Sequence, residues 1–420
     1  MLDPYREILA LPGARRFTLA GLIGRLPLPM VGLGIVLMVS ALYGSYGKAG
    51  AVAAAFIIAQ ALCSPQLAKL IDRFGQARVM RPALAVACLS LSGLVVAAVL
   101  RAPEPVLYAT AALGGATIGS MGALVRARWN VVASSPAQLH TAYSLESAFD
   151  ELTFVGGPVI ATVLATSVTP WSALVLPIIA AAVGGYWLLA QRATEPRPSG
   201  RPRRGAARGA LLSPAFIGLL VIFIAVGMLF GGLDVVIVAF TAERGVPGLA
   251  GPVLAAFALG SFLAALAYGA RSWQSPLSLR LALGIGVLAA GATVLMLVDT
   301  VPLVAAVGFL TGFAIAPTIV NGTSLVRLLV SPQRITEGFS WLSAAIGVGV
   351  SVGASAAGAL IDRYASPGGF AVVVGAATVA LLVALLMIPK LRPLDLRPPD
   401  DPGAPEKREE TASARPTKLP

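Results

Sequence analysis

Twelve long apolar runs constrain this chain more than any other feature of its sequence. Each run approaches the roughly 20 residues that a helix needs to cross a bilayer, and together they leave little of the 420 residues for anything else. The runs are continuous and do not alternate with polar residues, which predicts membrane-spanning helices. We therefore expect an all-α integral membrane protein that is not an enzyme and that needs neither a metal nor a cofactor.

The composition and the placement of charge support this interpretation. The chain is 57% hydrophobic and 12% charged, with a mean hydropathy of +0.84. Its net charge of +12 does not indicate a nucleic-acid partner, because the basic residues lie in short loops between the spans. The loops on one side hold 26 Lys and Arg, and those on the other side hold 4. By the positive-inside rule, this asymmetry predicts an even number of spans and two cytoplasmic termini.

A change of composition divides the chain near its middle. Residues 195–208 read EPRPSGRPRRGAAR, which predicts a flexible basic linker. The segments Ser135–Pro136 and Ala142–Ala148 recur 196 residues later as Ser331–Pro332 and Gly338–Ala344, so the two halves repeat. We expect a cytoplasmic leader over 1–16, six-span halves over 17–190 and 214–389, a cytoplasmic linker over 191–213, and a disordered cytoplasmic tail over 390–420.

Span 5, Thr141 to Ala165, is the apolar run that carries the most chemistry. It contains Glu146, Asp150 and Glu151, and an ionisable residue inside a span is costly and by default a candidate functional residue. Glu146 and Asp150 share a helix face because they are four residues apart, whereas Glu151 is expected to meet a neighbouring helix. Asp150 lies about 13 Å beyond Thr141, near the midplane of a core about 30 Å thick. The alternative is that these acids are wetted residues at a helix start.

Arg25 in span 1 is the expected partner of the acids. It lies about 12 Å deep from the same side as Asp150, and a carboxylate partner removes most of the cost of burying it. A static structural ion pair is the alternative to a functional one. In span 5, Gly156, Gly157 and Pro158 are predicted to thin and kink the helix.

Residues outside this group are expected to play lesser parts. Asp234 near the external end of span 7 and Trp341 in span 11 are candidate substrate-cavity residues, with a wetted acid and an interface anchor as the alternatives. Span 4 is expected over 105–124, which leaves Trp129 as a membrane-interface anchor in the following loop. His140 is expected in solvent.

The loop between spans 2 and 3 carries the motif KLIDRFGQAR over Lys69–Arg78. With six plus six spans and a basic mid-chain linker, it resembles the major facilitator superfamily, whose loop motif has the form G-x-x-x-D-R-x-G-R-R. Asp72, Arg73, Gly75 and Arg78 match this form, whereas its first glycine and one arginine are missing. The resemblance implies alternating access, with Asp72 and Arg73 pairing across the two halves in one state.

Span 5 also resembles the antiporter motif of drug-efflux members, which centres on a Gly-Pro step such as Gly157–Pro158. The span-4 arginine of those members is replaced by Ala111, so this basic residue is lost unless Arg25 of span 1 takes its place. The resemblance implies a proton-coupled antiporter that exports a small amphipathic or lipophilic drug or natural product. Arg25, Glu146 and Asp150 are then the proton-coupling residues and part of the substrate cavity.

We expect a monomer in the inner membrane of a bacterium, with a small-molecule substrate, protons and the lipid bilayer as its partners. Three alternatives fit the same residues: an exporter or proton symporter of a sugar or amino acid, a lipid or glycolipid exporter, and a non-transporting membrane receptor. The only asparagines, Asn130 and Asn321, lie near span ends, which disfavours a polar metabolite. The acidic span 5 disfavours a receptor, and the chain has no Walker motif for ATP.

Overall fold

The computed structural model describes residues 3–199, 211, 213–271 and 273–395, and in those ranges the chain is helical with no strand. Eleven helices are long and apolar enough to cross a membrane, and the last of them covers the 59 residues Pro332–Lys390. A helix of that length measures about 90 Å, three bilayer cores. Ala365 divides it, because its backbone is non-helical at φ 56° and ψ −159°. The twelve predicted spans are thereby confirmed.

Successive spans run in opposite directions, so span 1 begins and span 12 ends on one side of the bundle. We call this side the terminal face and the opposite side the far face. The bounds of the spans are Ala14–Arg25 with Pro27–Tyr43 for span 1, Tyr46–Phe74, Gln76–Val99, Glu104–Ile118 with Met121–Val132 for span 4, Pro136–Ser167, Ser172–Ala190, Pro214–Glu243, Ala250–Gly269, Leu277–Leu297, Val301–Gly312 with Ile315–Leu329 for span 10, and Ile335–Asp395 for spans 11 and 12 together.

Spans 1, 4 and 10 are each built from two helical segments. Span 1 is interrupted directly after Arg25, where Pro27 begins the second segment. Span 4 is interrupted at Gly119, whose φ of 67° favours glycine, and span 10 is interrupted at the equivalent place in the second half. The break in span 4 leaves a second segment, Met121–Val132, that extends beyond the expected end at residue 124.

The apolar core shows how the two halves meet. On the terminal side, one cluster of buried residues includes Phe17 and Trp129 of the first half together with Phe223 and Leu325 of the second. Towards the far face, the core splits into one cluster confined to the first half and another confined to the second. The halves are therefore packed together on the terminal side and separate towards the far face.

The segments outside the spans differ from a simple leader, linker and tail. Asp3–Ala10 forms a short helix with Tyr5 and Ile8 buried. Residues 191–199 at the start of the linker include a 3-10 turn and contact the first half, whereas residues 200–210 and 212 lie outside the described residues. Span 12 continues to Asp395, past the expected tail boundary at 390, and the predicted disorder over 396–420 lies outside the described residues.

Candidate functional site

Four charged side chains from spans 1, 4 and 5 form one cluster in the first half. Arg25 donates from Nη2 to Glu146 Oε2 and from Nη1 to Asp150 Oδ1, the latter at 2.9 Å. Arg126 donates from Nη2 to Asp150 Oδ2 at 2.6 Å. Two guanidinium groups thus face two carboxylates, so the cluster is neutral in its fully ionised form. The structure brings together the three residues expected to act in proton coupling and adds a fourth.

The two acids of this cluster have different surroundings. Glu146 is fully buried, and its second oxygen accepts a hydrogen bond from Trp129 Nε1 at 2.9 Å. The side chain of Asp150 remains 27% exposed, although each of its oxygens contacts an arginine. Glu146 is therefore enclosed with its partners, whereas the side chain of Asp150 is partly exposed.

Arg126 and Trp129, which contact Asp150 and Glu146, are the residues of this site that the sequence interpretation missed. Both were assigned to a loop after span 4, where Arg126 and Arg128 counted as loop charges and Trp129 as an interface anchor. The assignment was wrong because the second segment of span 4 runs to Val132, and all three side chains are buried. Span 4 lacks an arginine at Ala111 but has a buried one at Arg126, in its second segment. The orientation count changes from 26 to 24 against 4.

The remaining cavity candidates lie apart from the cluster. Asp234 is exposed on span 7, and among the described residues no hydrogen bond or ion pair joins its carboxylate to another group. Trp341 is partly buried against the core that joins the two halves. Neither residue contacts Arg25 or Asp150 through a hydrogen bond in the described ranges.

The Gly-Gly-Pro step lies where span 5 crosses span 1. A Cβ atom on Gly157 would lie 2.9 Å from Cγ of Pro29, so glycine permits this close approach, whereas a Cβ on Gly156 would meet nothing within 4 Å. The helix continues unbroken through Pro158 to Ser167. The missing side chain at Gly157 therefore lets span 5 pack closely against the proline-rich part of span 1.

Asp72 of the loop motif contacts the second half. It accepts hydrogen bonds from the backbone N–H groups of Thr336 and Glu337, at 3.3 and 2.9 Å, in the first turn of span 11. A carboxylate is favoured there because the start of a helix carries partial positive charge. Of the other motif residues, Gly75 forms the one-residue turn between spans 2 and 3 with φ 97°, Arg73 lies over the ring of Phe74, and Arg78 is exposed.

A second contact between the halves lies at the end of span 8. Tyr5 donates its hydroxyl to the carbonyl oxygens of Ala265 and Leu266 at 3.1 and 2.8 Å. Burial raises the pKa of Tyr5, so its hydroxyl keeps the proton that it donates. Thr141 Oγ1 donates to Gly269 O at 2.7 Å. Leu266 and Gly269 lie in the last turn of span 8, where carbonyl oxygens lack partners within the helix.

His140 and Glu151 complete the contacts between the halves. His140 is partly buried, and its Nε2 lies 3.0 Å from the carbonyl oxygen of Tyr268, so the prediction that it lies in solvent was wrong. Glu151 accepts a hydrogen bond from Ser261 of span 8 at 2.6 Å, in agreement with the expectation that it meets a neighbouring helix. Within the described ranges, no hydrogen bond joins the halves beyond this mid-depth contact. The molecule is closed between its halves on the terminal face.

Twelve spans in two repeated halves that are joined on one face are the architecture of a secondary transporter. In the part of the chain that the structure describes, no group of His, Cys, Asp or Glu is placed to hold a metal ion. The sequence profile described as Major Facilitator Superfamily matches residues 17–281 and 253–419. The chain belongs to the major facilitator superfamily.

Solved structures of other transporters share this fold. The human organic anion transporter MFSD10 (TETRAN) is 18% identical, with a TM-score of 0.69 over 89% of this chain and 99% of that one. A bacterial homologue of the iron transporter ferroportin, in an outward-facing state, is 14% identical, with a TM-score of 0.71 over 90% and 99%. No curated protein matches the chain in sequence. At these identities the likeness establishes the fold and leaves the substrate to be inferred from the site.

Proposed function

We propose that this transporter is a proton-coupled antiporter that exports a small amphipathic or lipophilic compound, such as a drug or natural product. The observation that carries the proposal is the pair of unlike acids on span 5. Glu146 is enclosed with Arg25 and Trp129, whereas Asp150 is partly exposed between two arginines. Of these two acids, Asp150 is the one that combines partial exposure with two arginine partners.

Proton uptake at Asp150 would change the balance of this cluster. A carboxylate beside a guanidinium favours the charged form, and separation from that partner favours the protonated form. When Asp150 takes a proton, Arg25 keeps Glu146 as its counterion, but Arg126 loses the one carboxylate that it contacts among the described residues. Spans 4 and 5 then lose their ionic link. A rearrangement of these spans that is tied to which face is open would couple proton flow to substrate flow.

The contacts on the terminal face supply the gate for alternating access. Asp72 holds the start of span 11, and Tyr5, His140 and Thr141 hold the end of span 8. Breaking both contacts would separate the halves on this side. The packing of the core, joined on the terminal side and divided towards the far face, supports the assignment of this structure to an outward-open state.

We assign the terminal face to the cytoplasm of a bacterium and the protein to its inner membrane, because basic residues are concentrated on that side. The two halves over 17–190 and 214–389 move against each other as units, joined by the linker 191–213. A single chain contains both halves of the gate and the whole charge cluster, which supports a monomer as the working unit.

A second candidate function follows from Arg126. If protonation of Asp150 releases this arginine, an anionic group of a substrate can take the vacated place, and proton and anion would then move in the same direction. A human organic anion transporter has the same fold, although fold alone does not fix a substrate. In this case the transporter is a proton symporter of a small organic anion.

Transport by the purified protein in liposomes with an imposed pH gradient tests both candidates. A panel of lipophilic cations, neutral amphiphiles and organic anions is offered, and the direction of proton movement is recorded for each. Antiport predicts that a lipophilic compound moves against the proton. Movement of an organic anion with the proton supports the second candidate, and flux that ignores the pH gradient contradicts both.

A further inference from the structure

The first part of the linker, residues 191–199, lies against the turn that carries the gate residue Asp72. Ser199 donates from its backbone N and from Oγ to the carbonyl oxygen of Asp72, at 2.9 and 2.8 Å. Span 2 ends two residues later at Phe74, so this carbonyl lies in the last turn, where helices leave carbonyls unpaired. Ser199 supplies the missing partner and fixes the backbone of the gate residue.

The other side of the same turn is fixed by Glu195. Its Oε1 accepts a hydrogen bond from the backbone N–H of Ala77 at 2.9 Å, in the first turn of span 3. A carboxylate is favoured at a helix start. Gly75 between the two spans is packed closely against the linker, since a Cβ atom there would lie 3.1 Å from Glu195 Oε1 and 3.2 Å from Pro198 Cγ.

Arg128, which is fully buried in span 4, anchors the linker to the first half. Its Nη1 donates to the carbonyl oxygen of Gln191 at 2.7 Å and to Thr194 Oγ1 at 2.8 Å. Its Nε donates to Gln76 Oε1 at 2.8 Å. The start of the linker, span 3 and span 4 are therefore held together by one guanidinium group.

The docked linker also reaches the boundary with the second half. A cavity of about 20 Å³ beside Asp72 is lined by Pro196 and Arg197 of the linker and, across the boundary, by Pro332 and Thr336. Such a volume holds about one water molecule. The linker therefore belongs to the wall of the gate contact.

We propose that residues 191–199 are a positioning element of the gate on the terminal face, and that Ser199 and Glu195 act through Asp72. While this segment is docked, the turn at Gly75 is held from both sides and the Asp72 carboxylate faces the start of span 11. When it is released, the turn can move and the closed state loses this contact more readily. The inference rests on the proposed gating role of Asp72 and requires no particular substrate.

Cysteine labelling of the full chain in lipid nanodiscs tests this inference. Cys63 and Cys88 are replaced by serine, and Ser340→Cys, at a position buried near the start of span 11, reports opening of the terminal face. Ser199→Ala and Glu195→Ala each remove one hydrogen bond and should raise the labelling rate. The increase should be about two- to tenfold for Ser199→Ala, the range expected for one net neutral hydrogen bond, and larger for Glu195→Ala, whose acceptor is charged. Unchanged labelling in both variants overturns the proposal.

Matched variants separate positioning from general destabilisation. Arg192→Ala alters an exposed side chain of the same segment and should leave the rate unchanged, and Ser199→Thr keeps both donors and should label like the parent. In an Asp72→Ala background, Ser199→Ala should have no further effect, because its partner contact no longer serves the gate. If Ser199→Ala raises the labelling rate in the Asp72→Ala background as much as it does in the parent, Ser199 does not act through Asp72. Because labelling does not measure transport, it tests this inference independently of whether the proposed proton coupling holds.

Discussion

Asp72 and Tyr268 lie 196 residues apart, at the ends of spans 2 and 8, and each contacts the first turns of a span in the other half. The same offset relates their partners, Thr336 and His140. The chemistry is reversed between the two contacts. In one, the Asp72 carboxylate accepts from backbone N–H groups, and in the other, backbone carbonyls accept from side chains of the first half.

The two contacts should therefore respond differently to substitution. Asp72→Ala removes hydrogen bonds to a charged group, which contribute about 1.5–3 kcal/mol, whereas Thr141→Val removes one neutral hydrogen bond of about 0.5–1.5 kcal/mol. We expect the first variant to open the terminal face more than the second, and the double variant to open it most. Accessibility of Ser340→Cys from that face measures the order. Equal effects, or no opening in the double variant, would contradict the two-contact gate.

Arg25 should be essential for folding because Glu146 is buried without another cationic partner among the described residues. Removing one partner of a buried ion pair costs about 3–5 kcal/mol, so Arg25→Ala should strongly lower thermal stability in detergent. Arg126→Ala is the matched control, because Asp150 retains Arg25 and is partly exposed, and it should cost clearly less.

A neutral double variant separates stability from coupling. Arg25→Gln with Glu146→Gln removes both charges of the enclosed pair and should recover most of the stability lost in Arg25→Ala. If the double variant is no more stable than Arg25→Ala, the ion pair does not explain the requirement for Arg25.

Trp129 should stabilise the enclosed acid through its indole N–H. Trp129→Phe keeps an aromatic ring beside Phe17, with which Trp129 packs edge-to-face at 4.8 Å, but removes the donor to Glu146. Leaving a buried acceptor oxygen without this partner costs about 1–3 kcal/mol. Thermal unfolding measures the loss. In a Glu146→Gln background the same substitution should cost less, and an equal cost would show that the ring alone is responsible.

The orientation of the bundle is tested by reporter fusions. Fusions at Arg203 in the linker and at the C-terminus should both give a cytoplasmic signal, because basic residues concentrate on the terminal face. A matched fusion at Arg101, in a loop on the far face, should give a periplasmic signal. A periplasmic signal from Arg203 would reverse the assignment of the faces and of the direction of transport.

Length and hydropathy were sufficient to predict the twelve spans, because a bilayer requires long apolar helices whatever their packing. The internal repeat likewise follows from similar residues that recur at a constant offset of 196 positions. Depth along the helices was enough to predict that Arg25 and the acids of span 5 lie near one another. These features depend on local composition and on distance along one helix.

The missed residues depend on how the helices pack. The sequence predicted that span 4 ends at residue 124, because Arg126 and Arg128 have the charge typical of a loop. Hydropathy carries no information on the partners that allow an arginine to be buried. Arg128 donates hydrogen bonds to Gln76 of span 3 and to the carbonyl oxygen of Gln191 in the linker, and Arg126 forms an ion pair with Asp150. A polar N-cap at Ser120 followed by a helix-compatible run was the local signal that a second segment begins there.

The central claim is that Asp150 carries the transported proton, and substrate-induced proton movement in liposomes tests it most directly. Asp150→Asn keeps the size of the side chain and removes its titration, with Glu146→Gln as the enclosed control. The account predicts that Asp150→Asn still binds and exchanges substrate but moves no protons with it. If Asp150→Asn moves protons with substrate as the unmodified protein does, Asp150 is not the coupling residue and the account is contradicted.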